Sequence, residues 1–188
     1  KEVPMKRRAL VTDINGQGNS TYDALIQSDG KLVVGSGLSG DLLLVRYNPN
    51  GSQDVTFGNG GIVITGDPSP ASENLGAVAI QSDGKIIACG NRGGAGVPRS
   101  LIFVRYNQDG TLDNTFGIGG TSLPSFGSTV IQLAAAIVIQ PDGKIVAAGR
   151  TNDGSNLPVM FAIRLNTDGN LDSTFGTDGK VTVSFGGV

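Results

Sequence analysis

The sequence predicts an all-β fold: an array of three four-stranded antiparallel blades plus one surplus strand. Three observations lead to that expectation. The phrase "AIQSDGKIIACG", Ala79 to Gly90, has near-copies in "LIQSDGKLVVGS" from Leu25 and "VIQPDGKIVAAG" from Val138. A second set of landmarks keeps a fixed beat: Arg46, Arg105 and Arg164 lie 59 residues apart, and so do Phe57, Phe116 and Phe175. Thirty glycines with 5% aromatic and 16% charged residues belong to a chain of many tight turns between short strands, not to a helical one.

Each copy supplies four strands in order. In the second copy "GAVAIQ" is strand a, "SDG" is a turn in which Gly84 takes a positive φ, and "KIIACG" is strand b, so the repeated phrase is a β-hairpin. Strand c is "LLLVRY", "LIFVRY" or "MFAIRL", apolar on successive residues. Both of its faces are therefore expected to be buried, which requires neighbours above and below the sheet. A turn-rich stretch such as "NQDGTLDNTFGIGG" leads to strand d, clearest as "GIVIT" at Gly61 to Thr65. The first hairpin phrase precedes the second by only 54 residues because Lys31 to Arg46 is 15 residues, whereas Lys85 to Arg105 and Lys144 to Arg164 are each 20. Five residues are missing from one b-to-c connection. The whole chain, 1–188, reads as a single repeat domain with copies at approximately 8–60, 61–119 and 120–183. "RALVT" at Arg8 to Thr12 aligns with "GIVIT" and with "KVTVS" at Lys180 to Ser184 and is the surplus, thirteenth strand.

A series of four-stranded antiparallel sheets, one per repeat of this length, is β-propeller-like. Small residues on strand a, Ala77, Ala79 and Ala134 to Ala136, suit the crowded inner edge of such an array. A β-helix is disfavoured, because its coils are shorter and parallel whereas Asp-Gly hairpins impose antiparallel pairing. Propellers usually need at least about four blades. Three leave apolar faces or unpaired edges, so the expectation is a longer array, or association of copies by β-strand addition into a ring or filament.

The segments "QSDGKIIACG", "FVRYNQDGTLDNTFG" and a "GG" before a strand resemble the delta-60 repeat of large bacterial proteins, a group assigned to β-propellers. The likeness covers roughly residues 21 to 183 and departs in the first copy, where "NPNGSQDVTFG" lacks the usual Asp-Gly and Leu-Asp. The resemblance implies a propeller fold and a cell-surface or secreted, extracellular setting. It brings no catalytic residues with it.

Composition narrows the chemistry. Net charge is −2 with 14 Lys and Arg scattered along the chain, so no footprint for nucleic acid is expected. The one basic cluster, "KRR" at Lys6 to Arg8, reads as a solvated strand end. No run approaches the roughly 18 apolar residues of a membrane span, so no membrane insertion is expected. The opening "KEVPMKRRAL" lacks the apolar stretch of a signal peptide and an initiating Met, which suggests a processed chain or a fragment. Histidine is absent, and with it the commonest general base and metal ligand. The single cysteine, Cys89, allows no internal disulfide and stands where the other copies have Gly35 and Ala148, a place for a small buried residue. Of 16 acidic residues, eight (Asp29, Asp54, Asp83, Asp109, Asp113, Asp142, Asp168 and Asp172) fall at repeated turn positions. No nucleophile motif such as G-x-S-x-G accompanies them, so the chain is not expected to be an enzyme. "NTDGNLD", Asn166 to Asp172, alternates oxygen ligands around a glycine but lacks the closing Glu and flanking helices of a calcium loop, and Asx turns account for it. "NRGGAGVPRS" lacks the Lys-Ser/Thr ending of a phosphate loop. No metal and no cofactor are expected.

Antiparallel order puts the a-to-b and c-to-d turns, with their repeated aspartates, at one end of each blade. The other end holds the variable segments "GSGLSGD", "GNRGGAGVPRS" and "GRTNDGSNLP", with "GDPSPASENLG" between copies. Recognition tends to sit on variable loops held by a regular scaffold, which makes Asn91, Arg92, Arg99 and Arg150 the candidate ligand-binding residues. Absence of Trp weakens a sugar-stacking role for them. Arg46, Arg105 and Arg164 are expected to brace the aspartate turns rather than to ring an anion. The functional expectation is a non-catalytic structural or interaction module of a bacterial surface or secreted assembly, self-associating through blade edges. Its partner would be a second copy or flanking repeats. The alternative is a ligand-binding propeller, possibly for glycans, that uses the variable loops.

Overall fold

The Asp-Gly turns form hairpins in all three copies. Asp29, Asp83 and Asp142 each accept the backbone N–H two residues on, at 3.1 Å, through Oδ1. Gly30, Gly84 and Gly143 follow at φ of 81°, 82° and 82°. That is a three-residue loop closed by a left-handed glycine, which matches the twist of the flanking strands. The computed structural model describes residues 20–66, 72–94, 97–126, 132–152 and 157–184. They form twelve strands and no helix.

The first sheet is β1 (Ser20–Ile26), β2 (Leu32–Leu38), β3 (Asp41–Tyr47) and β4 (Ile62–Thr65). The second is β5 (Ser72–Ile80), β6 (Ile86–Gly94), β7 (Val97–Tyr106) and β8 (Thr121–Ser122), and the third is β9 (Gln132–Ile139), β10 (Ile145–Asn152), β11 (Pro158–Leu165) and β12 (Lys180–Val183). Every sheet is an antiparallel meander with its strands in chain order. The all-β, propeller-like array of three four-stranded blades is therefore present. The surplus strand expected at residues 8–12 lies outside the described residues. β8 is short because Pro124 follows it; a proline has no N–H to give the ladder, although its carbonyl still accepts the Leu101 N–H at 3.1 Å.

Strand a of each blade lies toward the interior of the array, with β5 against both β1 and β9. Each of these strands has a bulge at the same place, where register slips past Tyr22, Gly76 and Ala135. Small residues are required around it. A Cβ on Gly76 would fall 2.0 Å from the Ala134 carbonyl oxygen of the next blade, and one on Gly90 would fall 2.0 Å from the Asn74 carbonyl oxygen.

The core consists of two seams between blades. Val33, Leu42, Leu44 and Phe57 of blade 1 meet Leu75, Val78, Ile86, Ala88, Ile102 and Val104 of blade 2. Ile87, Cys89, Leu101, Phe103 and Phe116 of blade 2 meet Ala134, Ile145, Ala147, Phe161 and Ile163 of blade 3. Each fully buried Leu, Ile or Phe contributes about 1.5–3 kcal/mol, so the seams hold the blades in place. A third, smaller cluster, Leu38, Leu43 and Val45, lies on the other face of blade 1.

Strand c departs from the expectation of two buried faces in the last copy. Leu42 to Val45 and Leu101 to Val104 are all buried, but β11 alternates, with Phe161, Ile163 and Leu165 buried and Met160 55% exposed. The sequence is just as apolar there. What β11 lacks is a following blade among the described residues.

Candidate functional site

The repeated arginines and aspartates meet at the c-to-d end of each blade, and all three copies build the same knot. Arg46, Arg105 and Arg164 each place Nε 2.7 Å from Oδ2 of Asp54, Asp113 and Asp172. The lysine that closes the first hairpin reaches the same oxygen: Lys31 at 3.0 Å, Lys85 at 2.8 Å and Lys144 at 3.0 Å. The other carboxylate oxygen accepts the hydroxyl of Thr56, Thr115 or Thr174 at 2.7, 2.6 and 2.7 Å. Each guanidinium lies over a phenylalanine ring, 4.4 Å from the centroid of Phe57 and 4.7 Å from those of Phe116 and Phe175. Cation–π contact, a planar donor fork and two cations on one carboxylate all act together.

The carboxylates are ionised as a result. Burial works against the charge on Asp54, but hydrogen bonds from Thr56, Lys31 and Arg46 outweigh it and hold the carboxyl well below its ordinary range. Asp113 shows the same balance with Lys85 and Thr115. At Asp172 the Thr174 hydroxyl leads, followed by Lys144. Groups held this firmly in the charged state have no proton to exchange near neutral pH. Cys89, fully buried, has its thiol pushed up to about 12 by desolvation. It packs in the seam between blades 2 and 3.

The arginines also tie one blade to the next. Arg46 Nη1 donates to the Gln108 carbonyl of blade 2, and Arg105 Nη1 to the Thr167 carbonyl of blade 3. Beside them the Gly58 N–H donates to the Asp109 carbonyl and the Gly117 N–H to the Asp168 carbonyl, both at 2.7 Å. Gly110 and Gly169 lie against the Phe57 and Phe116 rings. The arginines were legible as braces of the aspartate turns. The lysine, the threonine and the link to the neighbouring blade were not, although "DVTFG", "DNTFG" and "DSTFG" repeat the threonine and the ring beside every aspartate.

The residues singled out at the variable end are dispersed. Asn91 and Arg92 do not sit on a loop: β6 continues to Gly94 and β7 begins at Val97, so the segment expected as a long b-to-c connection is mostly an extended hairpin. Antiparallel pairing continues past the core, Asn91 with Leu101 and Arg92 with Ser100, then slips at a bulge between Arg92 and Gly94 before Gly94 pairs with Val97. Asn91 is half-buried. Arg92 pairs in register with Glu73 of β5, its Nε 3.7 Å from the Glu73 carboxylate. The backbone of Arg99 is on β7, and its side chain lies outside the described residues. Arg150 is exposed on β10, between Leu133 and Met160 in register. A cavity of about 700 Å³ runs along the outer edge of blade 2, with Arg92, Glu73, Ile102, Leu112, Ile118 and Leu171 on its wall. Of the predicted residues whose side chains are described, Arg92 alone lines it. Among the described residues no group of three or more acidic or cysteine side chains is placed to hold a metal ion.

No curated protein matches the sequence. A crystal structure of a protein of unknown function from Bacteroides caccae is similar over 92% of this chain and 74% of its own, at 11% identity and a TM-score of 0.32. A family model described as "Domain of unknown function (DUF5122) beta-propeller" matches three times, at residues 27–57, 81–116 and 140–175. Each match runs from the first hairpin turn to the phenylalanine of the Arg–Asp knot, and together they cover more than half of the chain. The chain thus belongs to the DUF5122 β-propeller family.

Proposed function

We propose that the chain is a non-catalytic structural or interaction module of a bacterial surface or secreted assembly, and that it self-associates through the edges and uncovered faces of its terminal blades. One observation carries the reading: the repeated Arg, Asp and Lys groups are engaged in knots within and between blades, while the last blade presents apolar surface. Met160, Val138 and Val183 are 55%, 58% and 47% exposed. Apolar exposure of this kind in an otherwise well-packed array marks a surface that takes a partner. The extracellular setting rests on the likeness of the motifs to delta-60 repeats. Flanking repeats of a longer array would present the same partner surface.

Multi-angle light scattering at micromolar concentration tests the reading. The expected mass exceeds that of one 19.2 kDa chain, and deletion of residues 1–14 is expected to shift it to monomer or aggregate. A stably folded monomer that the deletion leaves unchanged would overturn self-association. The rival role, ligand binding, draws on the cavity beside Arg92; a glycan-array signal abolished by Arg92→Ala would favour it.

A further inference from the structure

The joint between neighbouring blades has a fixed grammar. Blade 1 gives blade 2, and blade 2 gives blade 3, an arginine Nη1 and a glycine N–H, received by two consecutive carbonyls in the Asn-x-x-Gly turn. The turn glycine then seats on the donor blade's phenylalanine: a Cβ on Gly110 would lie 3.0 Å from Phe57, and one on Gly169 would lie 2.8 Å from Phe116. At both ends of the array this grammar is half-used. Arg164 bonds within its own blade through Nε and Nη2, and among the described residues no carbonyl of a following blade receives its Nη1 or the Gly176 N–H. Its side chain is 19% exposed against 6% and 8% for Arg46 and Arg105. Phe175 is half-buried where Phe57 and Phe116 are fully buried. Met160 is open where Leu42 and Leu101 are sealed. On blade 1 the receiving turn is also idle among the described residues: Pro49 and Asn50 are exposed, and Gly51, with φ of +84°, has nothing within 4 Å of a Cβ.

We infer that these two half-joints are complementary and that blade 3 of one chain docks on blade 1 of a second copy, with Arg164 and Gly176 donating to the Pro49 and Asn50 carbonyls and Gly51 seated on Phe175. The inference rests on the self-association reading and names its surface. Leu43 and Val45 on that side of blade 1 are already buried, so the rim turn supplies the polar part of the joint, and the surface over Leu43 and Val45 faces Met160. Closed propellers have about four to eight blades, and units of three reach that range only as a pair. The product is a head-to-tail dimer with two identical joints, a ring of six blades.

The full 188-residue chain and three variants decide this by light scattering with circular dichroism as a check on folding. Gly51→Asn keeps a left-handed turn residue and meets open space in the single chain, but would strike the partner's phenylalanine. Met160→Lys puts a charge at the centre of the donor face on a side chain that is solvent-exposed in the single chain. Gly119→Asn is the control: it has the same open surroundings at φ of +60°, away from the joint, and its third-repeat counterpart is already Asp178 at φ of 49°. The expected result is a two-chain mass for the parent and the control, and half that mass for folded Gly51→Asn and Met160→Lys. A dimer lost in Met160→Lys but kept in Gly51→Asn would mean that two donor faces meet back to back, overturning this joint while leaving self-association standing. Larger, unlimited masses would overturn closure by two copies. A parent that stays monomeric would overturn both readings.

Discussion

A carboxylate that accepts two cations, a hydroxyl and a backbone N–H stays ionised far into the acid range, and this chain builds that arrangement three times. Asp54, Asp113 and Asp172 each have a folded pKa below the ordinary value, which for an unfolded aspartate is about 3.9. The folded state therefore binds fewer protons than the unfolded state through the acid range, and stability rises with pH there. The contribution is complete above about pH 5 and is lost as pH falls through about 4 toward the folded values. The melting temperature should be nearly flat from pH 7 to 5 and fall steeply below pH 4. Asp113→Asn should lower it at neutral pH and make the acid limb shallower, because one of the three linked carboxylates is gone. An acid limb of unchanged steepness in that variant, measured by thermal melts across the pH series, would place the linkage elsewhere.

At the scale of elements, short-range turn chemistry was the most legible feature of the sequence. Gly84 after Asp83 was read as a left-handed turn residue and has a φ of 82°; the runs "GAVAIQ" and "KIIACG" on either side of it lie on β5 and β6. The segment from Asn91 to Ser100 was read as a variable connection between strands b and c, yet Asn91 to Gly94 extend β6 and pair with β7. Glycine weakens a strand without forbidding one when the partner supplies the register. Met160 shows the converse limit: its apolar context predicted burial, but burial depends on a neighbouring sheet that local sequence does not specify. The two hairpin ends therefore differ in tolerance. Two extra residues inserted between the paired residues Gly94 and Val97 should leave the circular dichroism spectrum and melting temperature close to the parent. The same insertion between Asp83 and Gly84 breaks the turn that fixes register, and it should leave the protein unfolded or insoluble. Equal loss at both sites would show that the long hairpin, like the short one, is register-critical.

Across the whole molecule the three knots are alike in their own blade and unlike in what lies beyond it. Arg46 and Arg105 each brace an aspartate and also hold a carbonyl of the next blade, while Arg164 has only the first task among the described residues. In an array whose stability is the sum of unit and nearest-neighbour terms, one substitution made in each copy separates the two. Arg46→Met and Arg105→Met should each cost about 2–4 kcal/mol, since each takes one of two cations from a buried aspartate and leaves an inter-blade acceptor unpaired. Arg164→Met should cost less, its side chain being more exposed and, among the described residues, bonded only within its own blade. The gap should depend on protein concentration. In dilute solution, where chains are single, urea denaturation should show the third substitution as the mildest. At concentrations that favour head-to-tail pairing, Arg164 gains the carbonyl it lacks, and its cost should rise toward that of the other two. Equal costs for all three arginines in dilute solution would mean that the carbonyl bond between blades adds nothing measurable, and that the arrays are held by their apolar seams alone.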